Sequence, residues 1–122
     1  MSKQAQNGLE GIAIHPTTKH IFIVNEKQPR ILLELTPTGK FVLSNVINFA
    51  DDLSGLCFMP GTNRLLLVSH ESHSLFEIDL SGKMLRSWKL PVEKAEGVAI
   101  DQNGLVYIVC DKTGKLFIFE LI

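Results

Sequence analysis

The sequence predicts an all-β fold made of three consecutive β-propeller blades. Three observations predict it: a short glycine-containing motif occurs three times, its copies lie 44 and 42 residues apart, and each copy begins a series of short apolar runs separated by turn residues. Repeats of about 40 to 50 residues with four strands each are typical of β-propellers. A β-sandwich would use the same strands but would not require a repeat, so the propeller is the favoured architecture.

The repeated motif places a glycine directly before a short apolar segment. Its three copies are LEGIAI at 9–14, LSGLCF at 53–58 and AEGVAI at 95–100. The residue in the middle of this segment is small in every copy: Ala13, Cys57 and Ala99. Because the innermost strands of a propeller converge near its axis, where little side-chain volume fits, the motif predicts the innermost strand of each blade.

Further apolar runs follow each motif in the same order. Second strands are predicted at 21–24, 65–68 and 106–109, third strands at 31–35, 75–78 and 116–119, and fourth strands at 41–46 and 84–90. These runs are rich in β-branched and aromatic residues and are bounded by Gly, Asn, Asp and Pro, as in consecutive hairpins. The blades therefore span about 8–50, 51–92 and 93–122 of one partial domain, 1–122, and the last blade lacks its outer strand.

An incomplete ring follows from this count, because closed propellers have four to eight blades. Three blades alone would expose two apolar faces and an unpaired strand edge, so we expect a homo-oligomer or a missing propeller half. Two arrangements remain open: a closed ring made by two copies, and a truncated half with a less regular dimer or another partner. The polar segment 1–7 has no β-branched residue and is a poor candidate for the missing strand.

Composition and charge exclude several classes of function. The 12 basic and 13 acidic side chains give a formal charge of −1, and there is no basic cluster that would suggest nucleic-acid binding. The longest apolar runs, such as Leu65–Val68, are too short to cross a bilayer, so no transmembrane segment is predicted. Cys57 and Cys110 lie in strand patterns without metal-ligand spacing, which predicts two buried free thiols.

Five segments of the chain resemble the SdiA-regulated family of six-bladed, TolB-like propellers: 8–14, 25–30, 52–56, 66–72 and 94–100. They occur in the order of that family's second half, blades four to six. The resemblance implies that the missing strand belongs to the N-terminal part of the full domain, and that the protein is associated with the bacterial cell envelope or periplasm. The sequence departs from the family at Cys110-Asp111-Lys112, where the family's motif usually reads Ser-Glu-Pro.

The residues before the three repeat glycines form a candidate metal site: Glu10, Ser54 and Glu96. Equivalent positions of successive innermost strands meet at one mouth of the central channel, and the gluconolactonase-like propellers hold a divalent metal with similar residues. Two carboxylates and a hydroxyl, with Asp51 and Asp52 nearby, suit the oxygen preference of Ca²⁺. The alternative is structural: these groups accept hydrogen bonds from strand and loop amides and hold the turn into each inner strand.

The function that these observations favour is a cell-envelope-type binding or interaction scaffold, whose ligand the sequence does not define. The alternative is a metal-dependent hydrolase, of the lactonase or phosphoesterase kind, that uses calcium at the channel mouth. Neither a G-x-S-x-G elbow nor a nucleotide-binding glycine motif is present, so no catalytic residue is assigned. His70 and His73 have a spacing that zinc could use, but no third ligand accompanies them and a solvated loop is favoured.

Overall fold

The computed structural model describes residues 9–26, 29–111 and 114–121. These residues form no helix, and so none that is long and apolar enough to cross a lipid bilayer. The strands of the described chain are β1 (Leu9–Ile14), β2 (Ile21–Asn25), β3 (Ile31–Leu35), β4 (Phe41–Val46), β5 (Gly55–Met59), β6 (Arg64–Ser69), β7 (Ser74–Asp79), β8 (Met84–Lys89), β9 (Ala95–Ile100), β10 (Leu105–Cys110) and β11 (Lys115–Glu120).

The strands form three separate antiparallel sheets, each built from consecutive hairpins. The first sheet has the order β1-β2-β3-β4, the second β5-β6-β7-β8, and the third β9-β10-β11. The prediction of three propeller blades, the last without its outer strand, is confirmed. The segment 1–7, which was considered for the missing strand, lies outside the described residues.

The repeat glycines lie where successive inner strands approach each other most closely. A Cβ atom added to Gly11 of β1 would lie 3.0 Å from the backbone nitrogen of Leu56 on β5, and one added to Gly55 would lie 3.2 Å from the Cα of Gly97 on β9. A side chain at such distances would force the neighbouring backbone to shift. The close contact of inner strands therefore explains the glycine at this position of the first and middle blades.

Two apolar cores hold the three blades together. The first core lies between the first and middle blades and includes Phe22, Leu32, Leu65 and Phe76. The second core lies between the middle and third blades and contains the following residues: Leu66, Leu75, Leu90, Val106, Ile108 and Cys110, with Cys57, Trp88, Phe117 and Phe119 packed against it. Burial of this kind is the main source of stability for sheets that do not share hydrogen bonds.

Both cysteines are free thiols within the second core, as the sequence predicts. Cys110 is buried, whereas Cys57 is only partly shielded by the residues around it. Burial raises the pKa of Cys57 to about 12, although a backbone hydrogen bond with Leu66 opposes the shift. The thiol of Cys57 is therefore protonated at neutral pH and acts as an apolar core group.

Candidate functional site

The starts of the three inner strands lie at one end of the molecule, which we call the channel mouth. Glu10 and Glu96 are the second residues of β1 and β9, and Ser54 directly precedes β5. Because Gly11 lies beside Leu56 and Gly55 lies beside Gly97, the residues before the repeat glycines also lie at the same end. The backbone N–H of Asp111, which follows β10, donates to the carbonyl of Lys94 at 3.0 Å and lies beside the start of β9.

Charged groups from all three blades meet at the channel mouth. Burial raises the pKa of the Glu96 carboxyl above its ordinary value, and the nearby imidazole of His70 lowers it in part. Three further carboxylates raise this pKa by charge repulsion: those of Glu10, Asp111 and Asp52. Glu10, which is far from Glu96 in the sequence, is thus close enough in space to raise the pKa of Glu96.

Ser54 lies at the mouth but is already engaged in the fold. Its side chain is buried, and its single hydroxyl hydrogen is shared between the carbonyl of Ala95, at 2.7 Å from Oγ, and the carbonyl of Val68, at 3.1 Å. These contacts connect the middle blade to the inner strand of the third blade. The hydroxyl therefore has a structural role, and its part in a metal site stays a prediction.

Asp52 is the most buried charged group at the mouth, with 0% of its surface exposed. Its Oδ1 accepts hydrogen bonds from Ser69 Oγ at 2.7 Å and from the backbone N–H of Glu71 at 2.9 Å. Its Oδ2 has no hydrogen-bond partner among the described residues and lies 3.7 Å from Nδ1 of His70. A buried carboxylate oxygen without a hydrogen bond is unfavourable, so this oxygen is available to a cation.

The importance of Asp52 is not evident from the sequence alone. Asp51 and Asp52 are adjacent and identical in type, yet Asp51 is exposed and Asp52 is fully buried. The partners of Asp52 come from residues 69–71, in the link between the second and third strands of the blade, which is not part of the repeated motif. Burial does not alternate in this segment, because Asp51 is exposed and residues 52–56 are all buried, so periodicity does not indicate which of the two carboxylates points inward.

The described residues do not form a ready-made metal cage. Among them, no three His, Cys, Asp or Glu side chains come close enough together to hold one ion. His73 has its Nδ1 3.2 Å from the carbonyl of Val92, whereas His70 faces Asp52, so the two histidines have different partners. A calcium ion at the mouth would therefore need further oxygen ligands from backbone carbonyls, water or additional blades.

A polar groove of about 470 Å³ lies on the rim of the middle blade, close to the mouth. Asp51 and Glu71, which line it, are the sequence neighbours of Asp52 and His70. The rest of its wall is formed by aromatic, hydroxyl and basic side chains: Phe49, Ser72, His73, Ser74, Phe76, Ser87, Trp88 and Lys89. The wall of the groove therefore combines two carboxylates with basic, hydroxyl and aromatic side chains.

Solved structures share this architecture at low sequence identity. A Bacteroides caccae protein of unknown function has a TM-score of 0.73 and 16% identity, with 93% of this chain and 42% of that chain covered. The hydrazine synthase of Kuenenia stuttgartiensis has a TM-score of 0.74 and 16% identity, with 93% and 33% covered. The WD40 repeats of RRP9 have a TM-score of 0.61 and 14% identity, with 92% and 36% covered. Because WD40 repeats form β-propellers, these similarities support the same fold here.

The chain spans less than half the length of each of these structures. A family model gives a more specific result, because it matches residues 1–119 and so covers almost the whole chain. That model is described as SdiA-regulated, in agreement with the motifs around the repeat glycines. The chain belongs to the SdiA-regulated family.

Proposed function

We propose that the chain is part of a non-enzymatic binding scaffold of the cell-envelope type, which binds a cationic ligand at the channel mouth. The observation that carries the proposal is that three carboxylates and the imidazole of His70, contributed by all three blades, act on the charge of a fourth carboxylate, that of Glu96. The carboxylates are those of Glu10, Asp52, Glu96 and Asp111. Carboxylates held close together repel one another, and a bound cation relieves that repulsion. The envelope location is supported by the family resemblance alone.

Calcium is the cation that this chemistry fits best. It binds six to eight oxygen atoms in flexible geometry and accepts carboxylates, carbonyls and water together. The Oδ2 of Asp52, which has no hydrogen bond among the described residues, and the carboxylates of Glu10 and Glu96 are oxygen donors of this kind. A zinc ion would instead favour a compact set of nitrogen or sulfur ligands, and the two histidines nearest the mouth point to different partners.

A calcium titration followed by thermal unfolding tests the proposal. Calcium that binds only the folded chain should raise the melting temperature by several degrees, because saturation at about 100 times the dissociation constant adds about 2.7 kcal/mol to the free energy of unfolding. The double variant Glu10→Gln/Glu96→Gln should lose this shift. Glu120→Gln, which removes an exposed carboxylate on β11, is the control and should keep it. A melting temperature of the wild-type chain that does not change with calcium would contradict the proposal.

A calcium-dependent hydrolase is the second candidate. The raised pKa of Glu96 favours it, because a carboxyl that holds its proton more strongly can act as a general acid. The bound ion would polarise the oxygen of a lactone or phosphate ester, and a mouth carboxylate would transfer the proton. An activity assay with simple lactones and phosphate esters tests this candidate. Hydrolysis that requires calcium and is absent in Glu96→Gln would favour it. Calcium binding without turnover would favour the scaffold.

A further inference from the structure

Each blade has two faces, which we name by the blade that they pack against. The leading face packs on the next blade along the chain, and the trailing face packs on the preceding one. In the first core, Val24 and Leu32 belong to the leading face of the first blade, whereas Leu56 and Leu67 belong to the trailing face of the middle blade. The repeat defines equivalent residues on every blade, so the end blades can be compared with the middle one.

The leading face of the third blade has the residues of an interface but lacks a neighbour among the described residues. Val109 and Leu116 are 49% and 56% exposed. The equivalent residues of the first two blades, each at most 1% exposed, are Val24, Leu32, Val68 and Leu75. The strand pairing shows the equivalence, because Val24, Val68 and Val109 are each paired with the repeat glycine of their own blade.

The third repeat glycine, Gly97, also lacks a neighbouring inner strand among the described residues. A Cβ atom added to Gly11 or Gly55 would meet the backbone of the next inner strand. One added to Gly97 would meet only the side chain of Val109 in its own blade. The glycine at position 97 therefore leaves room for an inner strand that the described chain does not supply.

The trailing face of the first blade is also uncovered, because no described blade precedes it. Ile12 and Ile14 of β1 are 61% and 53% exposed. Leu56, the equivalent of Ile12 on the middle blade, is 5% exposed because the first blade covers it. The described chain thus has one uncovered leading face and one uncovered trailing face, which are the two sides of the same type of interface.

We propose that a second copy of this chain covers both faces, head to tail, and closes a ring of six blades. The three described blades are too few to close a ring by themselves. Two copies related by a two-fold axis would place each leading face on the other copy's trailing face and leave neither exposed. One copy corresponds to 42% of the Bacteroides caccae structure, so two copies approach its full length. This assembly does not depend on calcium binding at the mouth.

Two charged variants test the head-to-tail geometry. Leu116→Glu alters only the leading face, and Ile12→Glu alters only the trailing face. The wild-type chain should form a dimer of about 27 kDa, twice its mass of 13.6 kDa, and each variant alone should raise the dimer dissociation constant at least about tenfold. Leu85→Glu is the control, because Leu85 is 39% exposed on the outer strand of the middle blade, whose two faces are already covered.

Mixing the two variants gives the decisive result. The unaltered leading face of Ile12→Glu should bind the unaltered trailing face of Leu116→Glu, so native mass spectrometry with one ¹⁵N-labelled partner should detect a 1:1 heterodimer. A wild-type chain that is monomeric at micromolar concentration would overturn the proposal. Dimers that survive in one variant but not the other would indicate contact between like faces and would also overturn it.

Gly97→Ala keeps the test valid if a charged variant fails to fold. The added methyl group contacts only Val109 within one chain, so the fold of the single chain should survive, as circular dichroism would show. In a closed ring, the same methyl group would meet the inner strand of the second copy. Dimerisation should therefore weaken at least about tenfold, and unchanged dimerisation by Gly97→Ala would contradict the proposed contact.

Discussion

Asp52 and Glu77 are the two carboxylates that the middle blade buries within the described chain, and their surroundings differ. Glu77 accepts hydrogen bonds from Arg64 at 2.5 Å and from Arg86 at 2.8 Å, so both of its oxygens are satisfied. Asp52 has one satisfied and one unsatisfied oxygen. Complete pairing is expected of a structural carboxylate. The Oδ2 of Asp52 has no hydrogen bond among the described residues and only the imidazole of His70 at 3.7 Å, which is consistent with the cation site that we propose.

We predict that Glu77→Gln lowers the free energy of unfolding by about 2 kcal/mol at pH 7, because it removes two charge-assisted hydrogen bonds. Burial by itself raises the pKa of Glu77, but Arg64 and Arg86 together outweigh it and leave the pKa below the ordinary value of 4.5. The stabilisation is therefore complete above about pH 4.5 and is lost as the pH falls through the lower pKa of the folded state.

Urea unfolding of wild type and Glu77→Gln across this pH range measures the difference. The gap between the two free energies should be constant near neutrality and should narrow in acid. Glu120→Gln, at an exposed position of β11, should follow the wild type throughout. A gap that widens as the pH falls would show that the carboxylate is not held by the two arginines.

At the scale of the strand, the sequence predicts the pattern of the fold well but not the contacts between blades. Periodic apolar runs and turn residues locate the strands because a sheet buries them in a regular way. Contacts between blades depend on single side chains from different repeats. His15, which the sequence does not distinguish from other surface histidines, forms a hydrogen bond with Asn63 at 2.9 Å and packs edge-on against Phe58, joining the first and middle blades.

The close approach of inner strands predicts that Gly55→Ala is destabilising. The added Cβ would lie 2.9 Å from Cγ1 of Val68 and 3.2 Å from both the carbonyl of Glu96 and the Cα of Gly97. Because a neighbouring backbone cannot move aside as a side chain can, we expect a loss of about 1 to 3 kcal/mol in the free energy of unfolding.

Gly97→Ala is the matched control for Gly55→Ala. Both substitutions are made in the Leu116→Glu background, which keeps the leading face of the third blade uncovered. There the methyl group at position 97 meets only the half-exposed side chain of Val109, which can rotate away. Chemical unfolding should show a clearly smaller loss for Gly97→Ala than for Gly55→Ala. Equal losses of unfolding free energy would contradict the contact of Gly55, but not of Gly97, with a neighbouring inner strand.

At the scale of the whole molecule, the repeat predicts part of the channel mouth. Glu10 and Glu96 occupy the same position in two repeats, so a propeller must bring them to the same end. The other contributors lie outside the repeated motif: Asp52, His70 and Asp111. Their positions depend on the course of individual links between strands, and periodicity contains no information about those links.

Carboxyl titration by NMR tests whether residues from different blades lie together at one acidic mouth. The pKa of Glu96 should lie above the ordinary value of 4.5, mainly because of burial, with a further contribution from Glu10. Glu10→Gln should lower the pKa of Glu96. The control is Glu34→Gln, which removes a carboxylate on β3 that is paired with His20, and it should leave the pKa of Glu96 unchanged. If the pKa of Glu96 is at its ordinary value and does not change in Glu10→Gln, the two residues do not lie together at the mouth.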